Sequence, residues 1–130
     1  MAVGLAATTL ANKWLDLLRG TAFTALSGTY VKLHIGDPGA AGTANASAVT
    51  TRAQATFAAA ASGAVALTGT NPLWAMTGTE TITHISVWDA LGPAGGNFLW
   101  SAALSASKTV ANGDTLTLTT CGLSLTPLAA

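Results

Sequence analysis

The sequence predicts a mainly β protein, an antiparallel β-sandwich of jelly-roll type with one N-terminal α-helix. Helical spacing of apolar residues occurs only near the N-terminus, and short alternating stretches separated by turn-forming residues follow it. The chain has 130 residues, which is the size of one domain. We therefore expect a single domain over 1–130, with the helix at about 6–19 and the sandwich at about 29–127.

The first predicted element is an amphipathic helix. Thr8 or Thr9 is the expected N-cap, and Gly20 is expected to stop the helix after Arg19. Apolar residues spaced three to four positions apart define its predicted buried stripe, which consists of Leu10, Trp14, Leu17 and Leu18.

The first predicted strand is 30–35, and its residues alternate between two faces. Val31, Leu33 and Ile35 fall on one face, and Tyr30, Lys32 and His34 fall on the other. Proline fixes φ, glycine accepts positive φ and aspartate bonds its own backbone, so a turn is predicted directly after the strand. That turn consists of Gly36, Asp37, Pro38 and Gly39, and the segment 40–48 is predicted to be a loop.

Six further short strands are predicted in the rest of the chain. They are Arg52–Phe57, Ala64–Leu67, Thr81–Trp88, Phe98–Leu104, Thr115–Thr119 and Leu123–Thr126. Turn signals separate them at 71–72, 91–97 and 112–114. No fixed-period repeat or heptad run is present, so the sequence predicts no fibrous shaft.

The charge content indicates a protein that works inside an assembly. Only 8% of residues are charged and the formal net charge is zero, whereas soluble domains average about 25% charged residues. Contacts with neighbouring chains would cover such a surface, and the first and last residues are expected to take part in them. The five cations are spread along the chain, which argues against nucleic acid, and no apolar run spans a bilayer or forms a signal peptide.

No catalytic, cofactor-binding or metal-binding residues are predicted. His34 and His84 match no triad or ligand spacing, so we interpret both as structural, with a pH-sensitive interface contact as the alternative. Asp37, Asp89 and Asp114 lie at turns. Capping of those turns is the favoured interpretation, and convergence on a calcium ion is the alternative.

The tryptophans are the most informative large side chains. Burial in the core is the favoured interpretation, because large aromatic side chains dominate core packing. The alternative is that they anchor an interface with another chain, where tryptophan is enriched. The possible interface residues are Trp14, Trp74, Trp88 and Trp100.

Five motifs occur in a fixed order along the chain. They are LHIGDPG at 33–39, an Arg-x-x-x-x-Phe segment at 52–57, THISVWDA at 83–90, LWSAAL at 99–104 and KTVANGDT at 108–115. In these motifs the chain resembles a family of small virion proteins of tailed bacteriophages, especially those of actinobacteria. The alanine-rich segment 58–66 and Trp74 depart from the family pattern, so the resemblance implies nothing for them.

The resemblance implies a virion protein, and it carries no catalytic residues. The absence of a signal peptide predicts synthesis in the host cytoplasm, and the low charge content predicts self-association on the particle surface. Family members carry labels such as minor tail or tail-fibre protein. The absence of a shaft favours capsid decoration, with a tail or fibre module as the alternative and a carbohydrate-binding surface domain as a further one. The expected partners are copies of itself, as a trimer, and other virion proteins such as major capsid or tail proteins, without cofactor, nucleic acid or membrane.

Overall fold

The computed structural model describes residues 3–125, which form a curled antiparallel sheet, a small second sheet and an N-terminal helical segment. The strands in chain order are β1 (Gly4–Leu5), β2 (Thr29–His34), β3 (Ala53–Phe57), β4 (Ala64–Thr68), β5 (Leu73–Ala75), β6 (Glu80–Trp88), β7 (Phe98–Val110), β8 (Thr115–Thr117) and β9 (Gly122–Ser124). Within residues 3–125, the seven-stranded sheet has the order β1-β7-β6-β2-β3-β4-β9, and β5 pairs with β8. The predicted mainly β, sandwich-like fold with an N-terminal helix is confirmed.

The helical segment is continuous and consists of three successive types of helix. Its parts are a π-helical turn (Ala7–Ala11), the α-helix α1 (Asn12–Asp16) and a 3-10 turn (Leu17–Arg19). The segment ends at Gly20, whose φ of 83° lies in the left-handed region that glycine tolerates best. The predicted stop is confirmed.

The start of the segment differs from the prediction. Ala6 is the N-cap and makes no side-chain cap bond, so the expectation of Thr8 or Thr9 in that role is wrong. The hydroxyl of Thr9 instead donates to the carbonyl of Phe98 in β7. This bond ties the helical segment to the sheet.

Only part of the predicted apolar stripe is buried. Leu10 is 2% exposed and Trp14 packs partly buried against the core, but Leu17 is 51% exposed and Leu18 is 88% exposed. The prediction is therefore wrong for Leu17 and Leu18. A π-helical turn followed by a 3-10 turn departs from 3.6 residues per turn, so spacing based on an α-helix points the later side chains the wrong way.

Strands β2, β6 and β7 form the centre of the sheet. In register, Val31 lies opposite Val87, and Val87 lies opposite Trp100; the next row inward is formed by Leu33 and Ile85. These side chains share one face and belong to the main buried cluster. The predicted apolar face is thus confirmed for Val31 and Leu33 and is wrong for Ile35, which is exposed.

The opposite face of β2 is also buried, which the alternation did not predict. Lys32 and His34 are buried, whereas Ile35 lies beyond the strand and is exposed. The reason is the segment 36–52, which returns along the end of β2. The amide of Ile35 donates to the carbonyl of Asn45 at 2.8 Å, and the amide of Ser47 donates to the carbonyl of Leu33 at 3.1 Å.

Several strand limits differ from the predictions. Strand β7 extends to Val110, past the predicted end at Leu104, because it pairs with β6 again beyond a bulge, from Lys108 to Val110. Strand β5, which contains Trp74, was not predicted, nor was the short β1. The predicted strand 123–126 begins in β9, but Thr126 and the expected contacts of the chain ends lie outside the described residues. The single-domain organisation stays a prediction.

Replacing a leucine by alanine should have very different effects on stability at the two ends of the helical segment. We expect Leu10→Ala to lower the free energy of unfolding by about 2–5 kcal/mol, because it removes a buried side chain. Leu18→Ala, on the same segment, should change it by less than about 0.5 kcal/mol. Urea denaturation measures both values, and equal losses would contradict the assignment of the buried face.

Candidate functional site

The candidate site is a buried chain of polar contacts around His34, which we call the His34 network. The imidazole Nδ1 lies 2.8 Å from the carbonyl oxygen of Ala44, and Nε2 lies 2.7 Å from Oγ of Ser86. The indole Nε1 of Trp88 donates to the same Ser86 oxygen at 2.8 Å. The network therefore joins β2, β6 and the segment 36–52.

The chemistry of these groups fixes where the protons lie. A carbonyl only accepts, so His34 carries its proton on Nδ1 and donates it to Ala44. Nε2 is then an acceptor and receives the hydroxyl proton of Ser86. Ser86 in turn accepts from Trp88, so neutral His34 satisfies every polar atom in the network.

A histidine beside a serine also invites comparison with a hydrolase. His34 and Ser86 are both 0% exposed, so no substrate carbonyl reaches the serine oxygen in this conformation. The group behind the imidazole is a backbone carbonyl and not a carboxylate, which leaves no charge to stabilise an imidazolium. The arrangement is that of a structural hydrogen-bond network.

The surroundings of His34 oppose its protonation. Burial lowers the pKa of His34, and the neighbouring positive charges of Lys32 and His84 act in the same direction, against the bonds to the backbone at Ala44 and Asn45. His84 lies directly opposite His34 in the register of β2 and β6, and its Nδ1 bonds the hydroxyl of Thr83 at 2.8 Å. The two predicted structural histidines are thus cross-strand neighbours.

The predicted motif turn closes one end of the network. Asp37 Oδ1 accepts the amide of Gly39 at 2.8 Å, and Gly39 has a φ of 72°. Pro38 is buried beneath the turn, and Asn45 donates to the carbonyl of Asp37 at 2.8 Å. A side chain at Gly36 would crowd Asn45, so the close approach explains that glycine.

The aspartates behave as turn caps. Asp37 bonds its own turn, Asp89 Oδ1 accepts the amide of Asn97 at 2.6 Å, and Asp114 Oδ2 accepts the amide of Ala111 at 2.9 Å. The capping interpretation is confirmed. Within residues 3–125, no group of three or more histidine, cysteine or acidic side chains is placed to hold a metal ion.

Arg52 is a site residue to which the sequence assigned no role. It is 6% exposed, and its Nη1 donates to the carbonyls of Ala90 at 2.8 Å and Gly95 at 2.9 Å. Its guanidinium lies 4.2 Å from the ring centroid of Trp88, a cation–π distance. Arg52 therefore holds the glycine-rich loop 89–97 against the His34 network. The available sequence signal was the position of Arg52 as the first residue of the Arg-x-x-x-x-Phe segment.

Three of the four tryptophans singled out in the sequence lie in the interior of the protein. Trp74, Trp88 and Trp100 are all buried, which confirms the core interpretation and leaves little indole surface for another chain. Trp14 is partly buried, and an interface role for any of the four tryptophans stays a prediction. The described part of the chain also contains no helix long and apolar enough to cross a membrane.

Comparison with known proteins gives one informative match. A family model described as Podophage GP4 fiber I protein gp80 matches residues 5–126. No curated protein matches the sequence. The match supports the phage-virion part of the resemblance found in the sequence, but its actinobacteriophage attribution stays a prediction.

The His34 network should make stability depend on pH. Below the unfolded-state pKa of about 6.5, the unfolded chain binds a proton that folded His34 resists, so the free energy of unfolding falls on acidification. His34→Gln removes this contribution. The difference in unfolding free energy between wild type and variant should therefore shrink from pH 8 to about pH 5. Leu10→Ala serves as the control, since its difference should not change with pH; a constant His34→Gln difference would refute the expectation.

Replacing Arg52 by lysine should lower the stability of the fold. We expect Arg52→Lys to cost about 1–3 kcal/mol, because an ammonium cannot donate to both carbonyls and lie flat on the indole. Hydrogen exchange of the 89–97 amides should also become faster. Arg19→Lys, at an exposed ion pair with Asp16, is the matched control and should stay within about 0.5 kcal/mol of wild type. Equal effects of the two substitutions would contradict the role of Arg52.

Proposed function

The chain belongs to the family of the podophage GP4 fiber I protein gp80, and on that premise we propose that it is a non-enzymatic structural module of a bacteriophage tail fibre. The observation that carries the proposal is the family match over residues 5–126. The buried side chains of His34, Ser86 and Arg52 make their hydrogen bonds within the fold, which supports a structural role.

The family match favours the fibre alternative over capsid decoration. The preference for the capsid rested on the lack of a repeated shaft in the sequence. That observation concerns the shape of this chain alone, because a fibre can include compact parts beside its elongated ones. Capsid decoration gains no support from the match and is not carried forward.

The carbohydrate-binding alternative also loses its basis. It required exposed aromatic rings on which a sugar could stack. Within residues 3–125, the large hydrophobic side chains that are exposed are aliphatic, and the three tryptophans of the sheets are buried. No specific observation favours a sugar ligand.

Self-association is part of the proposal. Leu15, Leu17 and Leu18 are all exposed on the helical segment, and burying them against neighbouring chains would remove apolar surface from water. Only 8% of residues are charged, which suits a surface covered by other subunits. We propose a trimer docked on larger tail proteins, with the helical segment at the contact.

Localisation on the particle tests the proposal. Cryo-electron microscopy of the virion should place density for this fold at the tail, with copies in contact through their helical segments. Quantitative mass spectrometry should then give few copies per virion. Density repeated over the icosahedral shell, or a copy number comparable to that of the capsid protein, would overturn the fibre assignment. Hydrolase activity of the purified protein, absent in Ser86→Ala, would overturn the non-enzymatic one.

A further inference from the structure

Two cationic side chains lie next to each other on the buried polar face of β2. The ladder between β2 and β3 ends with Val31 opposite Ala53. Continuing this register by one residue places Arg52 beside Lys32, and residues paired in an antiparallel ladder have their side chains on the same face. Lys32 is 9% exposed and Arg52 is 6% exposed. Like charges that lie directly opposite each other repel, so the burial of this pair requires a compensating interaction.

One edge of the Arg52 guanidinium has no hydrogen-bond partner within residues 3–125. Nη1 donates to the carbonyls of Ala90 and Gly95, and one face of the group lies against the indole of Trp88. Nε is buried and donates to no acceptor of the described chain, and Nη2 makes no hydrogen bond there either. The N–H groups of Nε and Nη2 point in the same direction and form the fork that binds two oxygens of an anion at once.

No acidic side chain of the protein forms an ion pair with Lys32 or Arg52. All five acidic residues lie within residues 3–125, and the one ion pair there joins Asp16 to Arg19. Burial lowers the pKa of Arg52 and the charge of Asp89 acts against this, but the oxygens of Asp89 bond the amide and the side chain of Asn97. Burial, and then the charge of Arg52, lower the pKa of Lys32. The pair therefore carries an excess of positive charge, which is costly to bury without a counter-ion.

Both ends of the described chain lie away from this pair of cations. The amide of Leu125 donates to the carbonyl of Gly63 at 2.7 Å, and Gly63 lies beyond the end of β3 that is farther from Arg52. Gly4 pairs with β7, and β6 lies between β7 and β2. The groups that surround the pair come from the central strands and the loop 89–97.

The cover over the two cations is thin. Arg52 lies under the loop 89–97, and residues 91–97 of this loop are all exposed. The small exposed fractions of Lys32 and Arg52 leave a narrow entrance, which admits a small ion and excludes a strand or helix of another protein. An outward shift of the loop, which its glycines permit, is needed to uncover Nε.

The arrangement of donors specifies the class of ion. The fork of Nε and Nη2 binds two oxygens in one plane, and the ammonium of Lys32 has three further donors for another oxygen. A carboxylate has only two oxygens, both of which the fork would use. A phosphate group offers more acceptors and carries about 1.5–2 negative charges at neutral pH, which balances two cations.

We propose that Lys32 and the open edge of Arg52 form a binding site for a small tetrahedral oxyanion, such as inorganic phosphate or sulfate. The bound ion neutralises both cations and occupies the remaining edge of the guanidinium. It thereby stabilises the loop 89–97, which Arg52 already bonds through Nη1. The site goes beyond the fibre function and would exist wherever the chain lies on the particle, so its failure leaves the fibre assignment untouched.

Nuclear magnetic resonance of the purified full chain tests the proposal. Inorganic phosphate is titrated at constant ionic strength in a chloride buffer, and the Nε–H signal of Arg52 is identified by its loss in Arg52→Lys. We expect a saturable shift of this signal, complete by about 10 mM phosphate, and slower hydrogen exchange of the 89–97 amides. The exposed Arg19 provides the internal control, and its Nε–H signal should not saturate. Sulfate should act like phosphate, and acetate should bind about tenfold more weakly.

Substitution of Lys32 tests its contribution to the site. Lys32→Met keeps the apolar stem and removes the charge, so it should weaken phosphate binding about tenfold, whereas Lys13→Met on the helical segment is the matched control and should leave the affinity unchanged. In chloride, Lys32→Met should also melt at a higher temperature than wild type, because a buried charge without a counter-ion is gone. Phosphate should reduce this difference, since it binds and stabilises only the wild type strongly. The general stabilising effect of phosphate acts on both proteins and cancels in the comparison.

Four outcomes would overturn the proposal. The first is an Nε–H signal of Arg52 that phosphate does not shift saturably. The second is a signal that already has a hydrogen-bonded position in chloride and stays there, which would mean that water or the chain itself occupies the edge. The third is equal weakening by Lys32→Met and Lys13→Met, and the fourth is acetate binding as tight as that of phosphate. If Lys32→Met does not fold, the titrations of the wild type decide the matter.

Discussion

The burial of β2 on both faces is the constraint on which most of the structure depends. One face carries apolar side chains into the main core, but the other carries His34 and Lys32 out of water. A buried imidazole without partners would cost several kcal/mol, of order 2–7 for a neutral polar group. The segment 36–52 has to return over this face and offer a carbonyl at Ala44, because β6 supplies only the hydroxyl of Ser86.

The long segment between β2 and β3 is consequently an ordered part of the fold. Asp37 and Asn45 bond within it, and Glu80 at the start of β6 accepts from Ser47 and the amide of Ala48 at its far end. Arg52, at the end of this segment, donates hydrogen bonds to the loop 89–97 and lies against Trp88. Two loops distant in sequence are thereby held against the same strand, β6. Regions of this kind, rich in internal hydrogen bonds, open less readily than ordinary loops.

The sequence predicted the elements governed by local rules and missed those governed by packing. The turn at 36–39 was predictable because proline, glycine and aspartate act on their own backbone. The burial of His34 was not, since alternation describes one strand and contains no information on a loop that returns over it. The exposure of Leu18 was missed because a π-helical turn shifts the spacing on which the helix prediction relied. The contact of Arg52 with Trp88 joins residues far apart in sequence, which single-sequence patterns cannot place together.

The low charge of the chain has a consequence for how it would meet other proteins. Only 8% of residues are charged and the formal net charge is zero, so the long-range electric field of the exterior is weak. Encounters with other proteins would therefore lack long-range attraction and proceed at the slower rates set by diffusion and orientation. Contacts made through such a surface would depend little on ionic strength, because there is little charge for salt to screen.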